Sequence, residues 1–229
     1  EHAARRPLYF PHVVLRGIGT NLACRSGVSP DARNMSELTA LAEALETALG
    51  VTIDIVSGGN SSNLDWALGA GDTGRVNDLR LGESILLGRE PLHRQPIDGL
   101  HTDAITLVAE AIESKVKPSQ PWGVIAETAF GNQPPPRDRG DISQVIFALG
   151  RQDTDPDGLR PPPGLTVLGS SSDHLIVDSG HERIRAGDEI SFQLNYSALV
   201  RAMTSPFVAK VVATLGGRAM SQATHVIQG

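Results

Sequence analysis

The sequence has little cysteine and little lysine. Cys24 is the single cysteine among 229 residues, which excludes an internal disulfide and a zinc site built on several thiolates. Lys115, Lys117 and Lys210 are its only lysines, so any function borne by a lysine has three candidates. Aromatic residues make up 4%. No run of about 18 apolar residues occurs, so no membrane-spanning helix is expected. No basic block occurs either, and a net charge of -6 argues against a nucleic-acid partner. The first ten residues, EHAARRPLYF, lack the apolar segment of a signal peptide. These absences predict a soluble protein of a reducing, cytoplasmic compartment. An initiator methionine is absent as well, and the first apolar run, HVVLRGIG, opens at His12; the sequence reads as though it starts inside a larger architecture.

What is present is a hydrophobic content of 40%, enough for a core. His12–Ile18 is apolar on both faces, the pattern of a buried parallel strand. Leu38, Leu41, Ala42, Leu45, Ala48 and Leu49 repeat at helical spacing, with Asn34 and Glu37 as a capping box and Gly50 as a stop. Val51–Val56 reads as a second strand and Asn63–Leu68 as a short helix ended by Gly69. Asp78–Leu81 leads into a third apolar element at Ile85–Leu87. The first hundred residues thus read β-α-β-α-β, a parallel sheet covered by helices.

From His101 the texture changes to short strands and Pro/Gly turns. Strands are expected at Ala104–Ile112, Val145–Leu149, Leu165–Leu168, His174–Val177, Glu189–Leu194 and Pro206–Ala213, and loops at 134–141 and 153–164. The fold class is therefore α/β followed by a mostly β domain, divided near residues 95–103 into 1–100 and 101–229. The tail from Gly216 is expected to fray.

The stretch SGGNSS (57–62) follows a strand and opens a helix. Glycines there let backbone approach a ligand, and unpaired amides of a helix's first turn favour an anion, most often phosphate. An ordinary βα turn capped by Asn60 or Ser61 is the alternative. A second polar corner, Arg80-Leu81-Gly82-Glu83, precedes another apolar run. Two successive strand ends of this kind are what the last strands of a β/α barrel present to a phosphate.

Six segments in order, GIGTNLAC (17–24), SGGNSS, NDLRLGESILLGRE (77–90), GRQDTDPDGL (150–159), GSSSDHLIVD (169–178) and NYSALVRAMTSPFV (195–208), together resemble amino acid racemases dependent on pyridoxal phosphate, in particular the ornithine/alanine racemase group of the alanine-racemase superfamily. The resemblance implies a (β/α)8 TIM-type barrel followed by a C-terminal mostly β domain, of which this sequence would supply the last barrel strands (1–100) and the β domain (101–229). It also implies a homodimer, an amino acid substrate and pyridoxal 5'-phosphate as cofactor. Asn60 and Ser61 match the phosphate-contacting pair, Gly82 and Glu83 the positions whose amides hold the phosphate, and Tyr196 a tyrosine whose hydroxyl reaches it. Arg80 matches the arginine that faces the pyridine nitrogen. A guanidinium there keeps that nitrogen unprotonated, because a second positive charge is disfavoured.

Two departures bear on activity. The family's Schiff-base lysine lies at the end of the first barrel strand, and none of the three lysines matches it. The resemblance therefore implies the C-terminal part of a longer enzyme, with the other barrel half on the same or a separate polypeptide, and a chain that alone racemises nothing. Arg151 stands where alanine racemases carry the tyrosine that acts as the opposite-face base. His174, Asp173 and Asp153 are candidate replacements by chemistry, although His174 also suits a structural hydrogen bond. Other amino acid chemistry on the scaffold, decarboxylation or aldol cleavage, and a non-catalytic cofactor-binding role are the alternatives; Arg80 favours racemisation, since decarboxylases of this scaffold use a carboxylate at that position.

Asp153, Asp155, Asp157 and Gly158 imitate the start of an EF-hand loop, but Gly164 occupies the twelfth position and Pro156 the fourth. Recognition of the distal ammonium of ornithine or lysine by Asp153 and Asp155, with Arg151 nearby, is the sharper expectation. Cys24 is expected to pack against the sheet, and Trp66 and Trp122 to anchor a core or an interface. His93, His101, His181 and His225 lack ligand spacing, so no metal is expected.

Overall fold

In the first unit of the computed structural model the elements run α1 (His2–Arg5), β1 (Gly17–Gly19), α2 (Ala32–Leu49), β2 (Ile55–Ser57), α3 (Leu64–Leu68) and α4 (Glu83–Leu87). The structure describes residues 1–69, 71–131 and 137–212. The chain forms two units, Glu1–Ala104 and Ile105–Gly229, which meet between Ala104 and Ile105.

Helix α2 forms because Met35, Leu38, Ala42 and Leu45 fall on one face and are buried. It starts one turn earlier than the sequence suggests. Asp31 is the N-cap, accepting from the Asn34 amide at 2.8 Å, while the Asn34 side chain accepts from the Asp31 amide at 3.0 Å. The capping box is therefore Asp31/Asn34 and not Asn34/Glu37, with Asn standing in for the usual Glu or Gln. Gly50 ends the helix in the left-handed region, as expected. Leu41 departs from the expected buried face and is 49% exposed.

β1 and β2 pair in parallel, Gly17 opposite Ile55 and Gly19 opposite Ser57. Both strands are shorter than their apolar runs. Val13 and Val14 lie outside the ladder and are exposed. The Ile53 amide donates to the Glu46 carboxylate at 2.8 Å instead of to a neighbouring strand. Leu38, Ala42, Ile53 and Val56 form the core of this unit, with Leu15, Ile18, Val51 and Val76 packed against it. The expected third strand contracts to one parallel bridge, Ser57 to Asp78, and Ile85–Leu87 are helical, bracketed by Gly82 and Gly88.

The second unit is a six-stranded antiparallel sheet of order β5-β8-β3-β4-β7-β6. Its strands are β3 (Thr106–Pro118), β4 (Asp141–Phe147), β5 (Leu159–Arg160), β6 (Thr166–Ser170), β7 (Leu175–Asp178) and β8 (Glu189–Leu194), followed by helix α5 (Tyr196–Thr204). Strand β3 pairs with β8 through residues 106–110 and with β4 beyond a register shift between Ala111 and Glu113. A bulge there bends the long strand and lets it serve two neighbours. Phe147 and Phe192 meet edge to face at 5.5 Å, both fully buried. Residues 206–212 are not a strand, against the element expected at Pro206–Ala213: Pro206 and Phe207 form a turn, the Phe207 amide donating to the Ser205 hydroxyl oxygen at 3.2 Å, and Ala213 lies outside the described residues. Loop residues 134–136 and the tail from Gly216 lie outside the described residues.

Candidate functional site

The SGGNSS corner is built on the end of β2. Gly59 sits at φ 137°, and a Cβ there would lie 2.5 Å from Asn63 Oδ1, so the turn requires glycine. Asn60 caps the short 3-10 turn Ser61–Asn63, its Oδ1 accepting from the Ser62 amide at 2.9 Å. Its Nδ2 donates to Asn21 Oδ1 at 2.9 Å and to the Leu22 carbonyl at 3.0 Å. Asn60 therefore ties the loop after β1 to the loop after β2.

Ser61 is buried, and its hydroxyl oxygen is the focus of the corner. The amides of Gly82 and Ser84 donate to it at 3.3 and 3.1 Å, and the Ser84 hydroxyl oxygen lies 3.1 Å away. A serine oxygen has two lone pairs; the two amides occupy them, which leaves Ser61 to donate its own hydrogen to Ser84 Oγ. The two amides and the two hydroxyls are donors of the kind a phosphoryl oxygen accepts. Glu83, between the two amides, turns its carboxylate to Arg94.

Arg80 is fixed beside this cluster. Its amide donates to the Gly59 carbonyl at 2.8 Å. One guanidinium nitrogen donates to the Ser57 hydroxyl and another to the Thr20 carbonyl, the latter at 2.7 Å. The guanidinium thus spans the C-terminal ends of β1 and β2. Downstream, Glu90 is buried and receives the amides of Leu92, His93 and Gln95. Burial alone raises a carboxyl, but these three amides outweigh it and hold Glu90 below its usual range.

The second unit gathers the other predicted residues into a clasp between 150–155 and 171–174. Gly150 lies against Ser172 and Asp173; a Cβ there would stand 2.3 Å from the Asp173 amide nitrogen and the Ser172 carbonyl. The Arg151 and Gln152 amides donate to the carbonyls of Ser171 and Ser172 at 3.1 and 2.9 Å. Asp153 is buried and accepts from the Gly150 amide at 2.9 Å. Asp155 caps the turn Pro156–Gly158 and accepts from the Ser197 hydroxyl at 2.5 Å. Asp173 accepts from Ser171 and Ser172 at 3.0 Å each, and His174 Nδ1 lies 3.1 Å from the same oxygen. The Ser172 and then the Ser171 hydroxyl hold the Asp173 carboxyl below its usual range. The Arg151 guanidinium carbon is 4.8 Å from the centroid of the Phe130 ring. Its Nε is buried with no hydrogen-bond partner among the described residues. Tyr196, the first residue of α5, is 46% exposed.

The structure therefore brings Ser61, Gly82 and Arg80 together in one unit, and Arg151, Asp153, Asp173 and His174 in the other. Sequence reasoning missed Ser84, a small residue one place past the motif. It also missed Thr20 and Asn21, which lie in the quoted segment GIGTNLAC but received no role. Two smaller expectations are corrected. Cys24 is exposed instead of packed on the sheet, because two strands of three residues cover little. Trp122 is 101% exposed and anchors no core. Lys115 and Lys117 pair with Glu113 at the end of β3, and Lys210 donates to the Ser205 carbonyl. His225 lies outside the described residues. No described helix is long and apolar enough to cross a membrane.

No protein-family model matches the chain. It is 40% identical over 203 residues to the ornithine racemase of Acetoanaerobium sticklandii, which covers 87% of this chain and 57% of that protein. It is 42% identical over 198 residues to the lysine racemase of Thermotoga maritima, covering 85% and 56%. The chain thus spans somewhat more than half the length of these relatives. Among solved structures, its fold resembles a D-threonine aldolase from Filomicrobium marinum (TM-score 0.57, 13% identity, 87% of this chain and 50% of that one). It also resembles an alanine racemase from Bartonella henselae solved with covalently bound pyridoxal phosphate (TM-score 0.52, 17% identity, 89% and 55%). At these identities the structures speak for the fold alone: end strands of a β/α barrel followed by an antiparallel β domain. Sequence identity to two racemases over most of its length, on the fold of the alanine racemases, makes this chain a member of the fold-type III amino acid racemase family, corresponding to that family's C-terminal part.

Proposed function

We propose that this chain supplies the phosphate- and pyridine-binding corner of a pyridoxal-phosphate-dependent racemase acting on a basic amino acid, ornithine or lysine. The observation that carries the reading is the convergence of the Gly82 and Ser84 amides and the Ser61 and Ser84 hydroxyls at one corner, beside the tethered Arg80. When bound, the cofactor supplies an electron-withdrawing ring that acidifies the Cα–H of an amino acid joined to it. The chain's own residues do the rest. Ser61 and the Gly82 corner, including Glu83, hold the phosphate, and Asn60 keeps the two loops in register around it. Tyr196, with its ring exposed, takes the phosphate role the resemblance assigns. Arg80, fixed from both strand ends, keeps the pyridine nitrogen unprotonated.

On the substrate side, Asp155 faces the distal ammonium and Arg151, with an unpaired Nε–H, the carboxylate. His174, oriented by Asp173, is the candidate for moving the proton at Cα; Asp153, buried against Gly150, supports the loop that carries both. The working form in this reading is a cytoplasmic homodimer of the full-length enzyme, with the barrel half that brings the Schiff-base lysine. The likeness to a D-threonine aldolase is one of fold, and Arg80 favours racemisation over other chemistry on the scaffold.

The test is chiral chromatography of L-ornithine, L-lysine and L-alanine incubated with the full-length protein and pyridoxal phosphate. Racemisation of the two basic amino acids, faster than that of alanine, is expected. A protein that takes up the cofactor and racemises none of them refutes the racemase reading.

A further inference from the structure

We infer that Arg94 is a positioning residue for the phosphate corner: its guanidinium holds the Glu83 carboxylate in an ion pair and keeps that negative charge out of the phosphate's way. The inference rests on the phosphate reading above and adds a residue and a mechanism to it. Glu83 sits between the two amides that meet Ser61. Its own amide, in the first turn of α4, has no acceptor among the described residues. The same residue carries a carboxylate, and its side chain is 17% exposed. A glutamate carboxylate stands no further from its own amide than a short side chain allows, well inside the Debye length of about 8–10 Å. Left to itself it opposes a phosphate there in two ways. It repels a like charge, and as an acceptor-only group it competes for the corner's N–H donors. Arg94 removes both effects by pairing with it.

The turn that carries Arg94 is built to deliver it. Arg94 has φ 62°, in the left-handed region, which among the described non-glycine residues only Ala23 shares. A Cβ is disfavoured there and glycine is free of the penalty. The backbone is held in place from several sides. The Arg94 amide donates to the Glu90 carbonyl at 3.1 Å, and the Arg94 carbonyl accepts from the Arg89 guanidinium at 3.0 Å. The buried Glu90 carboxylate receives the amides on either side, those of His93 and Gln95. A turn needed only for its path would carry glycine at this position. An ion pair with a half-exposed arginine adds little to stability. The strain at Arg94 is therefore explained by where its charge is placed.

The experiment is a double-mutant cycle in the full-length protein, with Arg94→Gln, Glu83→Gln and the double variant. Absorbance titration reads the dissociation constants of pyridoxal phosphate and of pyridoxal, at low and at high salt. Arg94→Gln should weaken pyridoxal phosphate about threefold to fivefold at low salt, the scale of one partly screened charge pair. The loss should shrink at high salt. Pyridoxal, which lacks the phosphate, should bind Arg94→Gln as it binds the wild type. In the Glu83→Gln background, Arg94→Gln should cost much less, because no carboxylate is left to restrain. Arg94→Lys, which keeps the charge, should recover most of the affinity.

Equal affinity of wild type and Arg94→Gln for pyridoxal phosphate would overturn the inference. So would a loss shared by pyridoxal, which marks a merely structural contact. An equal loss with and without the Glu83 carboxylate overturns it as well, since the guanidinium then acts on the phosphate directly. If Arg94→Gln fails to fold, Arg94→Gly, which suits the left-handed backbone, should show the same loss; wild-type affinity in that variant counts equally against the inference. A wild type that binds pyridoxal phosphate no better than pyridoxal would instead refute the phosphate reading.

Discussion

The corner of the first unit and the clasp of the second treat their polar groups in opposite ways. Around Ser61, two amides reach a neutral hydroxyl oxygen beside the Ser84 hydroxyl, and a guanidinium is tethered alongside. Around Asp173, the balance is reversed: one carboxylate already has two serine hydroxyls and an imidazole within reach, and Asp153 is committed to the Gly150 amide. In the first unit the acceptor is neutral and the charged group beside it is a cation. A satisfied carboxylate marks a part that holds other parts in place. The first unit's corner is thus organised around amides, hydroxyls and a guanidinium, and the second unit's clasp around a carboxylate.

The largest way to break this comparison is at Arg80. Arg80→Ala removes the guanidinium together with its ties to Ser57 and Thr20. Its partners are on a strand end and a loop, so the unit should still fold. The racemisation rate is expected to fall at least about a hundredfold, the scale seen for losing one preorganised electrostatic donor. Steady-state kcat/KM for L-ornithine checks this; a loss below tenfold would remove Arg80 from the machinery.

At Gly150 the prediction concerns stability. A methyl group would press on the Ser172–Asp173 backbone, and backbone yields less than a side-chain tip. Gly150→Ala should cost about 1–3 kcal/mol, read by urea unfolding, and should loosen the clasp that orients His174. Gly59→Ala offers the matching probe in the first unit, where left-handed strain and the contact with Asn63 cost a similar amount, about 1–3 kcal/mol.

The two regions were not equally legible. Helix α2, its glycine stop and most of the β strands follow from periodicity and turn residues, since a buried face and a left-handed cap are written locally. Strand lengths in the first unit were not. His12–Ile18 is apolar throughout, yet only Gly17–Gly19 has a partner, and pairing depends on a residue 38 positions away. The corner was foreseeable in Ser61, Arg80 and Gly82 because glycine-rich strand ends carry a recognisable composition. Ser84 was not, because one serine in an apolar helical turn carries no signal until the fold sets it opposite Ser61. The clasp was legible as acidic loop and His-Asp pair. Its division of labour was not, since only burial separates Asp153 from Asp155.

That division gives the next prediction. Asp153 and Asp155 look alike in the sequence, and both were expected to hold a distal ammonium. Asp153→Ala should leave the Gly150 amide buried and unpaired, lowering stability by about 1–3 kcal/mol. Asp155→Asn should leave stability nearly intact. It should raise KM for ornithine about threefold to fivefold, with KM for alanine unchanged, as suits a partly exposed ion pair. Equal effects of Asp155→Asn on both substrates would deprive it of the substrate role.

The smallest effect separates the units by pH. Glu46 in the first unit is held down to about 2, chiefly by the Arg75 guanidinium and then by the Ile53 amide. Glu113 in the second is also held down to about 2, by Lys115 and then Lys117. Both carboxyls bind protons more weakly folded than unfolded, so each contributes stability that is complete above its ordinary range near 4.5 and is lost as pH falls toward 2. The partners differ. Arg75 grips Glu46 with two nitrogens at 2.7 and 2.9 Å and a third bond to the Ile53 carbonyl, whereas Lys115 is 64% exposed at its side chain. A bidentate pair braced by backbone is screened less than a flexible ammonium. Raising salt across pH 5 to 2 should therefore flatten the acid response of wild type toward that of Glu113→Gln more than toward that of Glu46→Gln. Acid unfolding followed separately in each unit reads the difference, and a salt response equal at the two sites would show that the arginine clamp adds nothing to the lysine pair.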